Sequence, residues 1–187
     1  MLVHFPLATI GSSASARRPA LVRAGDRPGQ GMQDALAELS ASIGSRRLRR
    51  ILQDWDGWRG ARPFPARADF VPEQIKYLLG NVVLLDVLRQ PLRFRYRLIG
   101  TNLVARRYEL TGRTMDLHPD PEFRPAAIAF NTRVVEERRP LRFQYRILSR
   151  ASRGWIDYES LNMPLSADGA EIDMILCAIA FNDEVED

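Results

Sequence analysis

Four segments between residues 92 and 181 decide the fold: FRYRLIG at 94–100, LRFQYRIL at 141–148, WIDYESLNMPL at 155–165 and IDMILCAIAF at 172–181. Each has the pattern of a β-strand. A fifth strand-like segment, NVVLLDV, precedes them at 81–87, and residues 122–138 have the spacing of a helix. This order of two strands, a helical region and three further strands predicts an α+β fold. Its antiparallel five-stranded sheet would carry helices on one face.

The faces of these strands indicate which of them lie at the edges of the sheet. In 93–98 and 142–147, arginine or glutamine alternates with an apolar or aromatic residue, as in a strand with one wet face and one buried face. The segments VVLLDV and MILCAIAF are apolar on both faces apart from Asp86, so we expect them at the centre with a cover on each side. The inward residues of the two edge strands are Phe94, Tyr96, Leu98, Phe143, Tyr145 and Ile147.

An amphipathic helical region, residues 32–62, precedes the strands. A short apolar stripe from Leu36 to Ile43 comes first, and Gly44 interrupts it. A second stripe runs through 48–58 at spacings of three and four, with arginines on the other face. We predict that it either covers the outer face of the sheet or contacts a second copy of the chain. The residues concerned are Leu48, Ile51, Leu52 and Trp55.

Composition and charge indicate one folded domain between two tails. A chain of 187 residues has room for a single core. Residues 1–31 hold four arginines and one aspartate, which give +3 of the net charge of +4, and their Ser, Ala, Gly and Pro content predicts a disordered basic tail. The folded domain is predicted over 63–182, with a short helix from Pro72 to Asn81, and an acidic tail over 183–187.

Several kinds of site are excluded or disfavoured. The single cysteine, Cys177, lies in an apolar strand, so no disulfide or cysteine metal site can form within one chain. No run reaches the roughly 18 apolar residues of a transmembrane helix, so we expect a cytoplasmic protein without membrane contact. Catalytic signature motifs are absent. Asp157 and Glu159 share a strand face, but outward carboxylates more often pair with neighbouring arginines, so neither catalysis nor a metal is predicted.

The order of these elements resembles a PAS domain. The resemblance rests on Gly100-Thr101 after the second strand, on the Thr111-Gly112 turn and on PLSADG at 164–169 between the last two strands. The resemblance covers residues 45 to 182. Over this range the chain is similar to small stand-alone bacterial PAS-domain proteins. The resemblance implies the strand order 2-1-5-4-3, which agrees with the edge and centre strands that the faces predict.

The resemblance implies a sensory or signalling module that binds a small ligand or an unidentified signalling protein, often as a homodimer. Haem binding in this family requires a histidine on the long helix, whereas His118 lies in the preceding loop, LHPDP at 117–121. Residues 102–107 lack the cysteine of flavin-adduct photoreceptors. No cofactor is therefore predicted. A ligand pocket would be lined by Phe94, Tyr96, Phe123, Ile128, Val135, Phe143 and Tyr145.

Two other functions stay open as alternatives. The arginine cluster from Arg46 to Arg50, with Trp55 nearby, is the kind of basic patch that binds nucleic acid. The chain beyond residue 31 is close to neutral, however, so we do not expect nucleic acid as a partner. Catalysis is the less favoured alternative. Arg113 and Arg124 are candidates to meet an anionic ligand, against their usual role as solvated or paired arginines.

Overall fold

The structure is a computed structural model that describes residues 30–148 and 154–182. The predicted acidic tail and residues 1–29 of the predicted basic tail lie outside these ranges. The described helices are α1 (Gln30–Ser42), α2 (Arg46–Arg59), α3 (Thr101–Arg106) and α4 (Phe123–Glu137). The described strands are β1 (Val82–Leu88), β2 (Arg93–Ile99), β3 (Leu141–Leu148), β4 (Trp155–Leu165) and β5 (Met174–Phe181). The α+β fold predicted from the order of the segments is confirmed.

The five strands form one antiparallel sheet in the order β2-β1-β5-β4-β3. The predicted order is therefore confirmed, with β2 and β3 at the edges and β1 and β5 inside. The central carboxylate, Asp86 in β1, accepts hydrogen bonds from Arg95 at 2.8 Å and from Arg97 at 3.2 Å. This pairing explains how a buried strand accommodates a charge.

The outer face of the sheet is covered by α2. Leu48, Ile51, Leu52 and Trp55 are all buried, and α2 packs against β4 and β5. The indole N–H of Trp55 donates to the carbonyl of Pro164 over 3.0 Å. Of the two roles predicted for this stripe, the structure shows the cover within one chain. A homodimer would have to use other residues.

The inner face carries α3, α4 and a second core. A buried chain of polar side chains joins α4 to β4 there. Asn162 donates to Asn131 at 2.9 Å, Ser160 donates to Asn162 at 3.0 Å, and Asn131 donates to the Ala127 carbonyl at 2.9 Å. Because each amide finds a partner, the network fixes the position of α4 on the sheet rather than weakening the core.

A β-bulge corrects the predicted alternation in β2. The sequence pattern places Leu98 on the buried face with Tyr96, yet Leu98 lies opposite Leu84 and Tyr96 lies opposite Leu85. Arg97 is thus an extra residue, and the residues on either side of it point to opposite faces. Leu98 lies on the outer face and is 43% exposed.

The short helix that the sequence predicts from Pro72 to Asn81 is present and has 3-10 geometry. Its backbone departs from helical geometry at Ile75, with φ −114° and ψ 23°. Such short connectors favour 3-10 geometry. Here the chain must also bring Gly80 directly against Gly100, at the end of β2.

Candidate ligand-binding site

The inner core borders a small cavity, partly open to solvent, between the sheet, α3 and the loop that leads into α4. Its volume is about 100 Å³. Most of its walls are apolar and come from Val83, Ile99, Leu103, Leu110, Phe123, Ile147, Ile179 and Phe181. Its polar groups come from Tyr96, Arg107, Tyr108, His118 and Tyr158. An apolar hollow with a few convergent polar groups is the usual form of a small-molecule site.

The guanidinium of Arg107 brings a positive charge to the cavity. Arg107 follows α3 directly and forms an ion pair with Asp120, with Nη2 and Oδ2 2.5 Å apart. The other oxygen of Asp120 accepts the backbone N–H groups of Glu122 at 3.0 Å and Phe123 at 2.9 Å, where α4 begins. Partial burial alone would raise the pKa of Asp120, but these hydrogen bonds lower it below its usual value. Asp120 thus links the cavity arginine to the N-terminus of α4.

His118 is buried beside this ion pair. Its Nδ1 accepts the backbone N–H of Asp120 at 3.1 Å, and its ring centroid lies 4.7 Å from that of Phe123. Burial is the main reason that the pKa of His118 is lowered to about 4, and the positive charge of Arg107 adds to it. The imidazole is therefore neutral near pH 7. It lies in the loop before α4, as the sequence predicts.

The buried His118 predicts a loss of stability in acid. A histidine in the unfolded chain titrates near pH 6.5, whereas in the fold the pKa of His118 is about 4. Between these values the unfolded state binds more protons, so the free energy of unfolding falls as the pH falls from 7 towards 4. We expect a loss of about 3 kcal/mol by pH 4, since each unit of pKa difference corresponds to about 1.4 kcal/mol. It should be measured by urea unfolding at a series of pH values.

The comparison for this measurement is His118→Gln against the unsubstituted chain. The variant should lack the histidine-dependent loss, and the unsubstituted chain should show it in full. Equal pH dependence in the two proteins would show that His118 does not resist protonation in the fold.

Two phenol hydroxyls border the cavity. Tyr96 and Tyr158 are 6% and 8% exposed, and burial raises the pKa of both. Across residues 30–148 and 154–182 neither hydroxyl forms a hydrogen bond, and both residues line the cavity. The thiol of nearby Cys177 is kept protonated because burial raises its pKa. The cavity therefore offers O–H donors, in apolar surroundings, to whatever fills it.

Comparison with known proteins gives the family of this fold. A family model described as PAS domain matches residues 43–180. The chain belongs to the PAS domain family. Among solved structures it is similar to a sensory box histidine kinase/response regulator from Burkholderia thailandensis. The two are 15% identical, the match covers 60% of this chain and 85% of that chain, and the TM-score is 0.37. No curated protein matches the chain.

As a PAS domain, the protein is a sensory or signalling module. Over the described ranges, no helix has both the length and the apolar character needed to cross a bilayer. The same part of the chain brings together no group of three His, Cys, Asp or Glu side chains that could hold a metal ion.

The structure distributes the seven predicted pocket residues of the PAS domain over two places. Tyr96 and Phe123 line the cavity. The other five pack in the inner core beside it, namely Phe94, Ile128, Val135, Phe143 and Tyr145. The cavity also includes Arg107, His118 and Tyr158, which were not predicted as pocket residues from the sequence. For Tyr158 a signal existed, because it alternates with Asp157 and Glu159 and so shares the inward face of β4.

Neither of the two arginines considered for an anion lies at the cavity. Arg124 donates from Nε to the carbonyl of His118 at 2.9 Å. Arg113 is exposed, and its backbone carbonyl accepts the N–H of Tyr96 at 2.9 Å. The arginine that lines the cavity is Arg107, and not Arg113 or Arg124 as the sequence suggested.

The two carboxylates on the outward face of β4 are both paired with arginines of β3. Asp157 lies 2.6 Å from Nε of Arg146, and Glu159 pairs with Arg142. Glu159 also accepts the backbone N–H groups of residues 44 and 45 at 3.1–3.2 Å. These carboxylates therefore stabilise the sheet edge and hold the start of α2.

Members of the arginine cluster considered for nucleic acid make contacts within the fold. Arg49 donates to the carbonyl of Ile43 at 2.7 Å. The guanidinium of Arg50 lies 4.0 Å from the ring centroid of Tyr77, whose hydroxyl donates to Asp54 at 2.6 Å. Since Trp55 is fully buried, its ring is not available to stack on a base.

Proposed function

We propose that this PAS domain is a non-catalytic sensory module whose inner cavity binds a small molecule with an anionic head group. The proposal is carried by one observation, the placing of Arg107 and the phenol hydroxyls of Tyr96 and Tyr158 around a largely apolar hollow. A bound anion would accept hydrogen bonds from Arg107, Tyr96 and Tyr158. Such charge-assisted hydrogen bonds are about twice as strong as neutral ones, and the apolar walls would keep water away from them.

The size of the cavity restricts the class of ligand. A volume of about 100 Å³ is several times the roughly 10–15 Å³ that one buried water molecule needs, so a small organic molecule can enter. Short-chain carboxylates combine this size with one anionic group and a short apolar body. They are the class of ligand that we propose for the cavity.

The contacts of Asp120 offer a route from ligand to signal. A carboxylate bound to Arg107 would compete with Asp120 for the same guanidinium, and Asp120 also holds the first N–H groups of α4. The amide of Asn131 in α4 is in turn bonded to Asn162 in β4. A ligand can shift a conformational equilibrium only if it binds one state more tightly than the other. Here a carboxylate would bind more tightly to the state in which Arg107 is released from Asp120.

The paired carboxylates support the non-catalytic part of the proposal. Asp157 and Glu159, considered above for acid/base chemistry, are held by arginines on the outer side of the sheet, away from the cavity. His118 has its Nδ1 lone pair occupied by a backbone N–H and is buried. A general base needs to reach the proton that it removes.

We propose further that the module acts in the cytoplasm, as a homodimer and through an unidentified signalling protein, without nucleic acid. The family supports contacts between proteins as the mode of action. The edge strand β3 and the side chain of Trp155, which is 67% exposed at the start of β4, are surfaces on which a second chain could pack. A monomeric mass by light scattering at every concentration would contradict the homodimer.

The ligand proposal is tested by titrating the full chain with propionate and butyrate. We expect saturable NMR shifts at the amides around the cavity and a Tm that rises with carboxylate concentration. Arg107→Gln should weaken binding about ten- to hundredfold, because a hydrogen bond to a charged group contributes about 1.5–3 kcal/mol. Tyr158→Phe keeps the ring and loses only the hydroxyl, so it should weaken binding by about two- to tenfold.

The matched control for this titration is Arg113→Gln, which removes an exposed arginine outside the cavity and should leave binding unchanged. Absence of saturable binding, or an equal loss in the Arg113 variant, would overturn the assignment of the cavity as a carboxylate site.

A further inference from the structure

A second hollow lies on the outer side of the sheet, separate from the inner cavity. Its volume is about 280 Å³, and it lies between the Pro72–Asn81 segment and the ends of β1 and β2. Phe70, Leu84 and Leu176 are among the apolar side chains that line it. It is therefore the larger of the two hollows, and its lining is mostly apolar.

The rim of this outer hollow exposes apolar side chains to solvent. Leu79 and Leu98 line it and are 39% and 43% exposed, and Val71, beside it in sequence, is 50% exposed. They are three of the five exposed large hydrophobic residues in the described part of the chain. The bulge at Arg97 is the reason that Leu98 lies here. A cluster of this kind marks a surface that another apolar segment covers.

The beginning of the chain has the composition of such a segment. Residues 1–10 read MLVHFPLATI and contain no Asp, Glu, Lys or Arg. Their apolar side chains are Leu2, Val3, Phe5, Leu7 and Ile10. An uncharged apolar segment matches a hollow whose walls offer few polar partners.

The first described helix begins at the same end of the molecule as the outer hollow. Gln33, near the start of α1, donates to Asp56, near the end of α2, at 3.2 Å. Two residues beyond Asp56, the ring of Trp58 stacks on Phe70 with centroids 4.6 Å apart. Phe70 lines the hollow. The start of α1 is thus joined to the hollow by a short series of direct contacts.

The chain between the apolar segment and α1 is long enough to reach the hollow. Residues 11–29 separate them, and an extended chain of this length spans up to about 60 Å. A tethered segment meets its site at an effective concentration in the millimolar range. Even weak apolar docking would then be well populated.

We propose that residues 2–10 dock into the outer hollow of the same chain and cover Leu79 and Leu98. The segment then occupies an interaction surface that a protein partner must clear before it can bind. This proposal does not depend on the inner cavity or on its ligand.

Paramagnetic NMR on the full chain tests the docking. A spin label is attached at Thr9→Cys. Selective labelling is expected because Cys177 is buried and burial raises the pKa of its thiol. The label should broaden the amide signals of Leu79 and Leu98 strongly and leave those of Leu117, on the other side of the sheet, sharp. Sharp signals at all three residues would overturn the proposal.

Three further substitutions and a mixing experiment complete the test. Phe5→Asp in the segment and Leu98→Asp in the hollow should each abolish the broadening while the amide spectrum shows an intact fold. Leu117→Asp, at a residue 60% exposed, should preserve it. Broadening seen only when labelled chains are mixed with separate isotope-labelled chains would place the segment in a second copy. That result would overturn docking within one chain.

Discussion

We expect Trp55→Ala to lower the free energy of unfolding by about 3–5 kcal/mol, the usual cost of removing a large aromatic side chain from a packed core. Trp55 is fully buried between α2 and the sheet, and its indole N–H donates to the Pro164 carbonyl at 3.0 Å. Alanine would leave a cavity and a buried carbonyl without its donor. A domain has about 5–15 kcal/mol of stability in total, so this loss would take a large share.

The matched control is Leu117→Ala, since Leu117 is 60% exposed and lies outside the surfaces proposed for a second chain. Its effect should stay within about 0.5 kcal/mol, as for most surface substitutions. Denaturant unfolding of both variants gives the comparison. Similar losses in the two variants would contradict the position of α2 as the outer cover of the sheet.

We expect Gly100→Ala to lower the free energy of unfolding by about 1–3 kcal/mol, the usual cost of forcing extra atoms into a packed site. An alanine Cβ would overlap the carbonyl oxygen of Gly80 and come within 2.8 Å of the carbonyl oxygen of Leu79. Because these are backbone atoms, no rotamer change can relieve the contact. The φ of Gly100 is −63°, so the cost comes from lack of space and not from backbone conformation.

Gly57→Ala is the matched control for the glycine prediction. Gly57 lies in α2, and no atom lies within 4 Å of a Cβ built there. Alanine should raise the free energy of unfolding by about 0.5–1 kcal/mol, because it favours the helix more than glycine does. Denaturant unfolding should therefore show opposite signs for the two substitutions. A loss in both, or in neither, would mean that the contact between residues 80 and 100 is looser than the structure shows.

The strand order could be predicted because the number of buried faces of a strand determines how its apolar residues are distributed. β1 and β5 are apolar on both faces, whereas arginines occupy one face of β2, and this difference separates centre from edge. The bulge at Arg97 could not be predicted in the same way. An alternating pattern assumes that successive side chains always point to opposite faces. The extra residue at the bulge breaks this alternation and places Leu98 on the face opposite to the predicted one, and no feature of the neighbouring sequence indicates it.

The cavity was less accessible to sequence arguments, for a physical reason. The inward pattern of Tyr96 identifies a residue of the inner core, but it cannot show where packing leaves a gap. An arginine such as Arg107 is expected at the surface by default. Its place at the cavity depends on its ion pair with Asp120, thirteen residues later, and on the irregular backbone after α3. Contacts between separate elements decide both.

The position of α2 determines how this protein can be joined to, or separated from, other sequences. The family match begins at residue 43, close to residue 45, where the resemblance predicted from the sequence begins, and it therefore includes α2, which precedes the domain predicted over 63–182. A chain that began at 63 would leave Leu161, Met163 and Leu165, all fully buried in the core that α2 completes, facing water. Uncovered apolar sheet faces of this kind cause aggregation. A fusion protein that is to remain dispersed must therefore keep residues 43–62 together with the sheet.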